Sequence, residues 1–172
     1  LLGSRGLGDV YKRQLINRIN SDLVNDLGNL CQRSLSMIEK RLDSTIPQIT
    51  NKGNEELLLD KSCEELLMKG SNLVNEFKIH DYIRLVWEYI GKVNKYFNDN
   101  KPWELEKNDN DKFLNVLAVT VDQIKNIAIF IHPIMPDVSI KILQIMGISE
   151  TKLLFENMKA INLHGNKLSS VN

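Results

Sequence analysis

The chain has 172 residues, of which 42% are hydrophobic and 26% charged, the balance of a soluble globular protein that can bury one sizeable core. Lysine plus arginine and aspartate plus glutamate each total 22, so the net charge is zero. This excludes a sequence-blind nucleic-acid binder held mainly by phosphate contacts, because such proteins are basic. A module that reads a few bases, while another domain supplies the electrostatic attraction, remains compatible with it.

The first 14 residues do not fit the pattern of the rest of the chain. Gly3, Gly6 and Gly8 oppose a stable helix, and the apolar residues around them have no period. We therefore interpret 1–14 as a leader, a linker or a sequence-assembly scar, and expect the folded domain to span 15–160.

The cysteines and the apolar runs indicate in which cellular compartment the protein is expected. Cys31 and Cys63 both fall in helical patterns, and no secretory signal precedes them, so we expect reduced, buried thiols in a cytoplasmic protein. The apolar run at 127–131 is far shorter than the roughly 18 residues of a membrane helix. No contact with a membrane is expected.

The first predicted helix begins near Ile16 and continues to about Leu42, because its apolar residues recur at steps of three and four. Asn29 and Arg33 belong to the polar stripe of this helix, and the spacing of four places them on the same side, facing outward. Gly28 lies beside that stripe and lowers helix stability by about 1 kcal/mol relative to alanine. Close packing against another helix or room for a ligand would each explain it.

Four further helices and a short final one are predicted in chain order. They are expected over 55–77, from His80 or Asp81 to about 97, from Asp109 or Asn110 to 131, over 137–146, and over 150–159. Residues 98–103 interrupt the helical pattern after the third helix, and Pro102 there suits the first position of a new helical turn, which places Trp103 at the junction. In the second helix, the residues predicted to face inward are Leu58, Leu59, Cys63, Leu66, Leu67, Leu73, Val74 and Phe77.

These elements predict an all-α fold, an antiparallel bundle of five helices or slightly more. Residues 161–172 are predicted to form a polar C-terminal tail. The chain has no glycine-rich phosphate loop, no Cys or His cluster at metal spacing and no nucleophile elbow, so we predict no catalytic residue and no metal site. His132, set between apolar residues and a proline, is interpreted as structural.

Three residues favour recognition of nucleic acid. Arg33 can bind a base edge or a phosphate with its forked guanidinium, and Asn29 can pair with a base edge. Spacing alone favours a simpler interpretation, in which Arg33 forms a salt bridge with Asp26 or Asp22 on the same stripe. Trp103 is either an exposed stacking platform for a base or a core residue that fills the gap between two helices.

Three segments resemble the C-terminal anticodon-binding domain of methionyl-tRNA synthetases. Residues 20–33 (NSDLVNDLGNLCQR) resemble the first helix of that domain. The run from Trp87 to Asn94, followed by Tyr96, Pro102 and Trp103, resembles its Asn-x-Tyr segment that leads into Pro-Trp. His132 to Pro136 resemble its Pro-x-x-Pro break. The likeness covers about 15–147, and the order and spacing of the three segments make it specific.

The resemblance implies that Asn29, Arg33 and Trp103 read the anticodon. Trp103 is expected to stack on the wobble cytosine of the CAU anticodon of methionine tRNA, while Asn29 and Arg33 bond to exposed base edges. It also implies that this chain is a fragment without cofactor, and that the catalytic domain of its parent joins methionine to tRNA with ATP and magnesium. The expected partners are the anticodon loop and that catalytic domain, and the oligomeric state is left open.

Two other functions remain in view. One is the helical anticodon module of another class I synthetase, which would use other readers for another anticodon. The second is a helical interaction domain without a role in RNA binding, which predicts a buried Trp103 far from the Asn29 stripe. The anticodon reader predicts that Trp103 is exposed and lies on the same face as Asn29 and Arg33.

Overall fold

The computed structural model of the protein describes residues 21, 23–148, 158 and 160–169. A π-helical turn and six α-helices follow one another in chain order. They are the turn Leu23–Gly28, α1 (Asn29–Arg41), α2 (Asn54–Asn75), α3 (Ile79–Asn100), α4 (Pro102–Asn108), α5 (Asn110–Ile131) and α6 (Pro136–Ile145). The predicted all-α helical bundle is confirmed. The predicted 150–159 helix lies almost wholly outside the described residues, as does segment 1–14.

The helix ends follow from local chemistry. Gly53 precedes α2, and its backbone N–H donates to the Glu56 carboxylate at 2.9 Å. The Asp109 side chain accepts from the backbone N–H of Lys112 at 3.0 Å and so caps α5. Gly147 follows the end of α6. Its φ of +72° is in the left-handed region, which glycine adopts without strain.

The first helix differs from its prediction as one regular α-helix. Leu23–Gly28 form a π-helical turn, Ser21 before it is α-helical, and α-helical geometry continues from Asn29. The Asn94 amide on α3 donates to the backbone oxygen of Asp26 within this turn at 3.2 Å. Apolar steps of three and four fit both kinds of helix, so periodicity did not reveal the π-helical turn.

Helix α5 is the centre of the core. It packs against α1, α2, α3, α4 and α6, and its residues from Val116 to Val121 are all buried. By length and composition α5 could cross a membrane, but 89% of its most apolar 18-residue window is covered by the rest of the protein. Burial among helices accounts for its apolar character.

Two residues predicted to face the core are exposed instead. Leu58 is 62% exposed and Phe77 is 89% exposed. The buried stripe of α2 runs through Leu59, Cys63, Leu66 and Gly70, so Leu58 lies about 100° away from it. Phe77 comes after the end of α2 with φ of +57°, which takes it out of the helical phase.

Residues 161–169, which fall within the predicted tail, pack against the loop after α1. The backbone N–H of Ile46 donates to Asn166 at 3.0 Å, and that of Leu168 donates to Ser44 at 2.8 Å. Leu163 is buried with 5% exposure. This segment therefore covers part of the core beside the α1–α2 loop.

Two helical glycines provide a matched test of packing. A Cβ at Gly70 would lie 2.8 Å from the Tyr82 ring, whereas a Cβ at Gly91 would meet nothing within 4 Å. Tyr82 cannot easily move, because it is buried and its hydroxyl donates to the Phe130 carbonyl at 2.7 Å. We expect Gly91→Ala to raise the free energy of unfolding by up to about 1 kcal/mol. Gly70→Ala should lower it by about 1–3 kcal/mol.

Urea unfolding followed by circular dichroism measures both variants of this pair. Equal stabilisation by the two alanines would contradict the packing of Tyr82 against Gly70.

Candidate nucleic-acid interface

Two of the three predicted site residues are in direct contact, although 70 positions separate them in the chain. The Arg33 guanidinium carbon lies 4.8 Å from the centroid of the Trp103 ring. Trp103 is 38% exposed, and Arg33 is also exposed. The contact and the exposure are the geometry that the anticodon reader predicts.

Asn29 is exposed one turn before Arg33, on the same side of α1. Its side-chain amide donates to the backbone oxygen of Asn25 at 2.5 Å. Gly28, next to it, is also exposed, so the surface on this side of α1 is open at the start of the helix. That Asn29 reads a base stays a prediction.

A second aromatic ring completes the surroundings of Arg33. The Phe97 and Trp103 rings have centroids 6.1 Å apart and planes at 61°. The Arg33 guanidinium carbon lies 5.0 Å from the Phe97 centroid as well, so it contacts both rings. We call the Phe97 and Trp103 pair the aromatic wedge. Each cation–π contact of this kind contributes about 0.5–1 kcal/mol at an exposed site.

The chain forms the wedge because α3 ends sharply. Lys101 adopts the left-handed conformation with φ of 43°, and Pro102 then begins α4. This corner turns Trp103 back toward the last turns of α3, where Phe97 is fully buried. The buried Phe97 gives Trp103 a rigid support, while the other parts of the indole remain exposed.

Arg33 is held by an amide. Its Nη1 donates to Oδ1 of Asn98 at 2.8 Å. Within the described part of the chain it forms no ion pair with Asp26, and the Asp22 side chain lies outside that part. The salt-bridge interpretation with Asp26 is therefore wrong.

Two other cations on the neighbouring elements form ion pairs. Arg41 pairs with Glu106 at 2.9 Å, and Lys101 pairs with Glu104 at 3.2 Å. Among the described residues, Arg33 contacts only neutral groups, which are Asn98 and two rings. No carboxylate in this part of the chain pairs with its positive charge.

Asn94, Phe97 and Asn98 are residues that sequence reasoning did not identify as part of the site. Asn94 and Asn98 are four residues apart on α3, which places both amides on the side that faces the first helix. The recurrence of Asn at this spacing is a signal in the sequence, but their partners are 65 and 68 residues away. Periodicity on one helix does not predict such partners.

Burial raises the pKa values of several groups in the core. Burial raises the pKa of Cys31 to about 12 and that of Cys63 to about 11. Both thiols therefore stay protonated and unreactive at neutral pH. Burial also raises the pKa of Tyr89, whose hydroxyl donates to Gln123 in the core.

Comparison with known proteins gives a consistent result. Residues 46–167 match the family described as the anticodon binding domain of methionyl tRNA ligase. This range includes Trp103, whereas Asn29 and Arg33 precede it.

Relatives match most of the chain. The chain is 33% identical to the methionine–tRNA ligase of Mycobacterium tuberculosis H37Rv over 144 residues, which are 81% of this chain and 28% of that protein. It is 32% identical to the Thermotoga maritima methionine–tRNA ligase over 144 residues, 83% of this chain and 23% of that protein. The chain thus spans less than a third of the length of these relatives.

Solved structures agree with this similarity. M. tuberculosis methionyl-tRNA synthetase in complex with methionyl-adenylate matches 93% of this chain with a TM-score of 0.87 and 31% identity. The apo form of that enzyme matches 90% of the chain with a TM-score of 0.84 and 32% identity. In each case the match covers 32% of the solved chain.

Proposed function

Since the chain belongs to the family of methionyl-tRNA ligase anticodon-binding domains, we propose that it recognises the CAU anticodon of methionine tRNA through Asn29, Arg33 and Trp103. The observation that carries this proposal is the contact of Arg33 with the exposed Trp103. It joins a forked hydrogen-bond donor to a stacking surface at one place on the protein. Single-stranded RNA loops are read by this combination, with splayed bases stacked on aromatic rings and bonded at their open edges.

Each residue has a separate task in this proposal. The exposed part of the Trp103 indole stacks on the wobble cytosine. Arg33 donates its remaining N–H groups to a base edge or to a phosphate, with a charge that no described carboxylate offsets. Asn29 exchanges its bond to the Asn25 backbone for a base edge, to which its amide offers both a donor and an acceptor.

The parent protein follows from the relatives. We propose that it attaches methionine to tRNA with ATP and magnesium in a catalytic domain, and that this domain and the tRNA are the partners of the chain in the cytoplasm. The relatives, which are bacterial methionine–tRNA ligases more than three times as long as the matched region, support this proposal. The neutral charge also fits, because the catalytic domain can supply contacts to the rest of the tRNA.

Binding of a methionine-tRNA anticodon stem-loop to the 172-residue chain tests the function. We expect the CAU loop to bind about 5- to 150-fold more tightly than a loop whose anticodon is changed, since a wrong base at a hydrogen-bonded edge costs about 1–3 kcal/mol. Fluorescence anisotropy of labelled stem-loops measures both affinities. Equal affinity for the two loops, with helical structure intact by circular dichroism, would refute the proposal.

A further inference from the structure

The Asn98 side-chain oxygen accepts a hydrogen bond from Arg33, the residue that supplies the positive charge of the proposed site. We propose that Asn98 is a positioning residue, which holds the Arg33 guanidinium in the aromatic wedge before RNA binds. This inference rests on the proposed function, because it concerns how that site is prepared. It adds a residue to which neither the motifs nor the spacing gave a role.

Three contacts define the position of the guanidinium. Its carbon lies 4.8 Å from the Trp103 centroid and 5.0 Å from the Phe97 centroid, and its Nη1 lies 2.8 Å from Oδ1 of Asn98. The ring contacts limit where the group lies but allow it to rotate, because they have little directionality. The hydrogen bond fixes the rotation, since it requires one N–H to point at one oxygen.

Fixing an arginine before binding has a direct effect on affinity. An arginine side chain has considerable rotamer entropy, and a binding site loses that freedom when it orders the side chain. If Asn98 has already ordered Arg33, RNA binding incurs less of this cost. The remaining N–H groups of the guanidinium then keep one orientation before RNA binds.

The choice of an amide has a further consequence. A neutral acceptor orients Arg33 without pairing its charge with a carboxylate of the described residues, in contrast with the ion-paired Arg41 and Lys101. The backbone around Asn98 is also held in position. One turn earlier on α3, the Asn94 amide donates to the backbone oxygen of Asp26 in the π-helical turn at 3.2 Å. The two amides together set α3 against the helix that carries Asn29 and Arg33.

The first test needs no RNA. The chain has two tryptophans, so a ¹⁵N-labelled sample gives two indole N–H signals in a two-dimensional NMR spectrum, and Trp103→Phe assigns them. We expect Asn98→Leu to move the Trp103 signal toward its position in Arg33→Ala and to leave the Trp87 signal in place. Asn98→Asp keeps an acceptor and should restore the Trp103 signal. An unchanged Trp103 signal in Asn98→Leu would overturn the proposal.

The second test uses the CAU stem-loop. Asn98→Leu should weaken binding about three- to tenfold, and should cause no further loss when Arg33 is already alanine. Asp99→Asn is the control, because Asp99 is the next residue on α3 and pairs with Lys95 rather than with Arg33. A loss in Asn98→Leu that adds fully to the loss in Arg33→Ala would overturn the positioning role.

The two proposals fail in different ways. If the wild-type chain binds CAU and altered loops equally, the proposed function is refuted. If the wild type prefers CAU and Asn98→Leu binds like the wild type, only the role of Asn98 is refuted. Thermal unfolding of Asn98→Leu should match the wild type closely, because residue 98 is exposed.

Discussion

Trp103→Ala is expected to remove most of the preference for the CAU loop and to weaken its binding about 5- to 150-fold. The range corresponds to the 1–3 kcal/mol that stacking of one base contributes. Trp103→Phe should retain part of the preference, because a smaller ring still offers a stacking face. Arg33→Ala should lose a comparable part, because it removes the donors and the charge beside that ring. Fluorescence anisotropy with CAU and altered stem-loops separates affinity from preference.

The matched control for Arg33→Ala is Arg84→Ala. It removes the same charge from an exposed position near the start of α3, where Arg84 pairs with Asp81 at 3.2 Å. Residue 84 lies about 21 Å along the helix from Asn98, at 1.5 Å per residue. Equal losses in the two variants would mean that net charge rather than the aromatic wedge determines binding.

Phe130→Ala is expected to lower the free energy of unfolding by about 3–5 kcal/mol. The Phe130 side chain is 1% exposed and lies edge-on to Tyr89 with ring centroids 6.0 Å apart. Its removal leaves a cavity in the core around α5, the helix that packs against the five other α-helices. For a chain of this size the melting temperature should fall by about 6–20 °C.

Phe77→Ala is the control for the same change of side chain. Phe77 is 89% exposed, so its removal should alter the free energy of unfolding by no more than about 0.5 kcal/mol. Chemical unfolding of the two variants side by side measures the difference. A small effect of Phe130→Ala, or a large effect of Phe77→Ala, would contradict the assignment of the core.

The fold could be predicted from the sequence where the signals are local. Pro102 and Asp109 mark helix starts through backbone geometry and capping, and the predicted and observed bounds of α5 agree closely. The exposure of Phe77 could not be predicted, because helical periodicity does not determine which way a residue faces once the helix has ended. The π-helical turn was missed because Leu23 and Leu27 suit both helical periods.

The site was predictable only in part. The four-residue spacing placed Asn29 and Arg33 on one face, but their function came from the resemblance to a family rather than from the spacing. The contact between Arg33 and Trp103 depends on how α1 meets the corner after α3, and so on packing across the whole bundle. Asn98 could not be assigned for the same reason, since its partner is 65 residues away.

The position of the central helix along the chain affects synthesis on the ribosome. Helix α5 begins at Asn110, so α1, α2 and α3 are all translated before the helix that covers their apolar faces. Until then Tyr89, Ile90 and Val93 of α3, which are buried in the finished fold, have no cover from α5. Chaperones that recognise exposed hydrophobic segments should therefore bind the nascent chain until α5 has left the exit tunnel. Folding should be completed only after that point.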